Sequence, residues 1–194
     1  GADDDALTID SLGTDLDLAV SVDGAGGVDA VDLQGTIELT NKALTVNAET
    51  ILVNAALSTG TGAITLNASA SATGNASGTG NTVSGEAISA ASIVVAGGAS
   101  ISGGAVTLTA HAAASGTVTA TGGSINNVGG SYNSTAAIEV DGTIAAANAL
   151  KIVADVDTTV AVTMSNASGF LIFGADLDGI AVNSTNSATV NIGA

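Results

Sequence analysis

The sequence predicts an all-β fold, and within that class a parallel β-solenoid with coils of roughly 20 residues. Three observations predict it. Apolar residues recur at every second position in short runs, as on a strand with one buried face. The pattern of residues 31–48 returns at 51–68 and at 93–110 without a gap. Proline, which a central strand cannot take without losing a ladder hydrogen bond, is absent. The alternative for short alternating strands is a β-sandwich whose N-terminal segment is donated to a neighbouring copy.

The columns of the repeat define its elements. A first strand holds Val31/Leu33, Ile51/Val53, Ile93/Val95 and Ile138/Val140. A softer middle strand holds Ile37, Leu57, Ile101 and Ile144. A last strand holds Leu44/Val46, Ile64/Leu66, Val106/Leu108 and Leu150/Ile152, and each unit closes on Ala48, Ala68, Ala110 or Ala154. Between them lie Gly, Asn and Ser, the residues of tight corners. On the outward face of the last strand stand Thr45, Thr65 and Thr107, then Asn47, Asn67 and Thr109, a ladder of the kind that stabilises sheets.

The units start at 31, 51, 93 and 138, so two spacings are about twice the first. The segments 69–89 and 111–135 are therefore expected to be weaker coils or loop excursions. Seven to nine coils would make a rod of roughly 35–45 Å at the spacing of adjacent strands. Residues 188–194, "ATVNIGA", look like one more first strand. Residues 31–194 form the repeat domain. Residues 1–30 alternate strongly but match the repeat poorly, and are expected to be a cap or a donated strand.

Composition limits the function. The chain has 194 residues and a net charge of −16, with Lys42 and Lys151 as its only basic residues besides His111. No basic patch for nucleic acid or for an anionic membrane surface can be assembled from two lysines. Polar residues interrupt every apolar run short of the roughly 20 residues a membrane span needs. The absence of Cys excludes a disulfide framework and thiolate metal sites. A mean hydropathy of +0.52 and abundant Val, Ile and Thr oppose intrinsic disorder. The opening "GADDDALTID" carries charge where a targeting segment would have its apolar core, as expected of a mature terminus left by processing.

Catalysis has little to build on. His111 sits in "LTAHAAASG" with no acid near it in sequence, and reads as a surface or corner residue. Basic groups and aromatic rings, which enzymes on β-helices use for acidic sugars, are almost lacking. The acidic residues offer more. Asp15/Asp17, Asp155/Asp157 and Asp176/Asp178 are D-x-D pairs, and on a strand that spacing puts both carboxylates on one face. Calcium, which takes oxygen ligands, is the candidate ion; the alternative is a solvated acidic face.

The repeat text resembles that of filamentous-haemagglutinin-like proteins and other large bacterial surface adhesins. The matching stretches are "GTIELTNKALTVNA" (35–48), "STGTGAITLNA" (58–68), "SISGGAVTLTA" (100–110) and "GTIAAANALKIVA" (142–154). The resemblance implies a secreted, extended, non-enzymatic structure at the cell surface. Such adhesins are far longer than this chain, which leaves two expectations. One is a small subunit that gains length by joining copies of itself into a filament. The other is a segment of a large adhesin that attaches to a host or neighbouring cell surface, or within a biofilm.

Overall fold

The structure, a computed structural model, describes residues 3–13, 16–79, 82–121, 127–165 and 180–193. Among these the chain forms strands and no helix. In chain order they are β1 (Ala6–Ile9), β2 (Val20–Asp23), β3 (Ala30–Leu33), β4 (Ile37–Glu38), β5 (Leu44–Ala48), β6 (Thr50–Val53) and β7 (Ala56–Ser58). There follow β8 (Ile64–Thr73), β9 (Ala76–Thr79), β10 (Thr82–Val95), β11 (Ser100–Thr121), β12 (Asn127–Val140), β13 (Thr143–Ser165) and β14 (Ile180–Ile192). One sheet runs β1-β3-β6-β10-β12-β14. The other runs β2-β5-β8-β11 and takes in β4, β7, β9 and β13. One of the two curls into a half-barrel.

Every strand pair among the described residues is parallel. The antiparallel hairpins of a β-sandwich therefore do not occur there. The repeat columns are the registers of these ladders. Val31 pairs with Ile51, Ile51 with Ile93, Ile93 with Ile138, and Ile138 with Val190. In the second sheet Leu44 pairs with Ile64, Ile64 with Val106, and Val106 with Leu150. The strands thus fall into successive tiers, each bonded to the next. Inward residues of both sheets, among them Leu33, Leu44, Ile51, Ile64, Leu66, Ile93 and Leu108, form one apolar cluster. The outward column is also formed, with Asn67 Nδ2 donating to Asn47 Oδ1 at 3.0 Å.

The two long segments differ from expectation. Where described, residues 69–89 and 111–135 are strand almost throughout and lengthen β8, β10, β11 and β12. β10 pairs with β12 from Thr82↔Asn127 to Val95↔Val140, and β11 pairs with β13 from Ser100↔Thr143 to Thr121↔Ser165. Among the described residues the first sheet has six strands. The segments differ from expectation because strand burial depends on alternation and not on side-chain size. Along β10 every second residue is buried, although the inward set is Val83, Gly85, Ala87, Ser89 and Ala91 before Ile93 and Val95. The added width holds a second apolar cluster of Val83, Ala87, Ala114, Val118, Ala120, Val128 and Tyr132.

The N-terminal segment lies on the chain's own ladders. Ala6 pairs with Ala30, Val20 with Leu44, and Leu12 bridges to Ile37. Asp29 holds this tier. Its Oδ1 accepts the Asp5 N–H at 3.0 Å, its own N–H donates to Glu49 Oε2 at 2.8 Å, and its carbonyl accepts from Glu49 and Thr50. The Asp29 carboxylate fits only because position 24 is glycine: a Cβ there would lie 2.5 Å from Oδ2.

Candidate functional site

Two features stand out from the regular ladder: a His–Asp cluster on β11 and β13, and the apolar face of the last tier.

The cluster follows from register. Asp155 and Asp157 alternate with Val156 on β13, so their carboxylates share one face. Parallel pairing sets His111 of β11 opposite Asp155, and sets Ala113 opposite Asp157. The small Ala113 leaves room beside Asp157, and the imidazole spans both acids. Nδ1 lies 3.6 Å from Asp155 Oδ2, and Nε2 lies 3.9 Å from Asp157 Oδ2. One donor atom from each residue falls within 4.8 Å of the others. The aspartates are exposed and the histidine half-buried. On its other side His111 is paired with the neutral Ser69 of β8. The backbone at Asp157 is fixed from the opposite sheet, where Ser134 Oγ donates to its carbonyl at 2.9 Å. A protonated imidazole makes an ion pair here with either acid; a neutral one offers a nitrogen ligand between two oxygen ligands.

Sequence reasoning found the two acids and missed the histidine. The signal was present: the alignment that sets Ala110 on Ala154 sets His111 on Asp155. The acids absent from its neighbourhood in sequence stand 44 and 46 positions further on (111 to 155 and 111 to 157). The other D-x-D pairs are not brought to this cluster. Asp17 is exposed and paired with Lys42, Nζ to Oδ1 at 3.0 Å. Asp15, Asp176 and Asp178 lie outside the described residues.

The last tier is distinct in its burial. Ile138 and Val140 of β12 are 1% and 3% exposed, whereas Val190 and Ile192, one tier on in the same columns, are 43% and 64% exposed. In the second sheet Val106 is 0% exposed and its partner Leu150 is 52% exposed. Among the described residues no strand pairs with the far edge of β14. The N-terminal tier also shows an exposed apolar residue, Leu7, in the column of Val31.

Among the described residues no helix is long and apolar enough to cross a membrane. In comparisons with known proteins, no family model, no curated protein and no solved structure matches this chain.

Proposed function

We propose that this chain is a non-enzymatic structural protein of an extracellular, cell-surface filament, that it winds as a parallel β-solenoid, and that copies join end to end. The observation that carries the reading is the last tier: residues of columns that are buried in the interior tiers are exposed there. Each tier buries its apolar edge only against the next. An open edge of unpaired N–H and C=O groups templates a further strand. The occupant that fits without new chemistry is the first tier of another copy, since β1 and β2 already present the same two columns in the same parallel sense. Head-to-tail contact of this kind does not close and makes a filament.

The resemblance of the repeat to surface adhesins supports a secreted location. The net charge of −16 opposes contact between copies, so salt or divalent cations should promote it by screening. The other occupant is a following coil of a longer chain, as in a large adhesin.

Sedimentation velocity of the purified chain tests the reading. Species should grow with concentration and with salt, and Val190→Asp with Ile192→Asp should hold the chain monomeric with its β spectrum intact. Wild-type chain that stays monomeric under all these conditions would exclude filament assembly and leave the following-coil occupant.

A further inference from the structure

We infer that His111, Asp155 and Asp157 form a binding site for a first-row divalent cation of the zinc class, rather than for calcium, and that the bound ion ties β13 to β11. The inference is independent of assembly and would stand if the filament reading failed.

The ligand set decides the class of ion. Calcium takes six to eight oxygen ligands, and an imidazole is a poor substitute for any of them. One nitrogen with two carboxylate oxygens suits zinc and its neighbours, which accept a tetrahedral set completed by water. Metal–ligand bonds of about 2.0–2.2 Å in a tetrahedron place donors about 3.4 Å apart. The 3.6 and 3.9 Å separations belong to different ring nitrogens, Nδ1 to Asp155 and Nε2 to Asp157, and are too long for good hydrogen bonds. One nitrogen and one oxygen from each acid lie together within 4.8 Å of one another, a wider set than that tetrahedral edge. Both aspartates are exposed, so their side chains are free to turn toward a shared ion. The parallel register fixes the three backbone positions beneath them.

Charge favours a cation as well. Neither lysine enters the cluster: Lys42 pairs with Asp17, and Lys151, on the same face of β13, is four residues or about 13 Å along the strand from Asp155. Two carboxylates facing one imidazole leave the cluster net negative even when the ring is protonated. A divalent ion neutralises both acids at once.

The site also has a structural consequence. β13 belongs to a tier that is largely exposed, and its inner neighbour is the only strand of the second sheet it pairs with among the described residues. An ion held by one residue of β11 and two of β13 adds a bond across that ladder. It would raise stability with the logarithm of free ion concentration once that exceeds the dissociation constant, because it binds the folded register and not the unfolded chain.

His111 is the only histidine, so its imidazole proton resonances report the site without assignment ambiguity. Metal-free full-length chain should be titrated with zinc chloride, and separately with calcium chloride, while these resonances and the heat of binding are followed. Zinc should perturb the histidine signals saturably at one ion per chain, and a tenfold excess of calcium should leave them in place. His111→Ala, and Asp155→Asn with Asp157→Asn, should each weaken zinc affinity at least tenfold. Histidine signals unmoved by zinc would overturn the inference. So would calcium displacing zinc at comparable concentration, or zinc affinity unchanged in either variant, which would place the ion on the general acidic surface.

Discussion

The phenol of Tyr132 donates a 2.8 Å hydrogen bond to the carbonyl of Gly74, and both groups are buried. Tyr132 is fully buried in a core otherwise built from Ala and Val. Its ring has space because the positions around it lack side chains. A Cβ on Gly85 would strike its hydroxyl, one on Gly116 its ring, and one on Gly130 the ring's other edge. The ring and its glycines are how a narrow column of small residues widens without leaving a void.

Tyr132→Phe removes the Gly74 carbonyl's phenolic partner and leaves the packing in place. It should lower unfolding stability by about 1–2 kcal/mol. Tyr132→Ala opens a ring-sized cavity and should cost about 3–5 kcal/mol. Denaturant titrations with an unchanged m-value measure both, and equal losses would show that the hydrogen bond and not the packing dominates.

Gly116→Ala should overpack the same site, because the new Cβ meets the Gly74 carbonyl and the Tyr132 ring. A loss of about 1–3 kcal/mol is expected. Combined with Tyr132→Ala, the loss should be smaller than the sum of the two single losses, since one mutation vacates the space the other fills. Additive losses would mean that the two positions do not share that space.

How much of this was legible in the sequence follows from what side-chain period records. Period two and the repeat, ungapped for three units and with one deletion in the fourth, placed Ile51, Ile93 and Ile138 in one column, and Leu66 and Leu108 in another, as the ladders have them. Alternation says which face a residue takes and not how long its strand is. Hence 69–89 and 111–135, poor in large apolar residues, read as breaks although their Ala, Ser and Gly keep the alternation. The first strand of the N-terminal segment was hidden by its offset of 24 residues to the next tier, Ala6 to Ala30, in place of 20. At the candidate site the two acids were visible as a local motif. His111 was not, because its partners are neighbours only through register.

The hub at Asp29 gives a third prediction. Asp29 is 2% exposed, and its Oδ2 is buried with no hydrogen-bond partner, near the acidic Asp23 and Glu49 in a cavity of ≈ 430 Å³. A buried acceptor atom without a donor is costly. Asp29→Asn keeps the acceptor for the Asp5 N–H and removes the charge, so stability should hold or rise. Asp29→Ala loses the acceptor and should cost about 1–3 kcal/mol. Thermal melts compare them; an Asn variant as unstable as the Ala variant would show that the charge itself is required.

The end-to-end reading meets its most direct test in fibre diffraction from concentrated, oriented protein, with electron microscopy of the same sample. Stacked tiers run the strand spacing along the filament axis, so the filaments should be one molecule wide and give a meridional reflection near about 4.8 Å. Discrete monomers by microscopy, or filaments whose 4.8 Å reflection lies on the equator, would contradict stacking through the last tier.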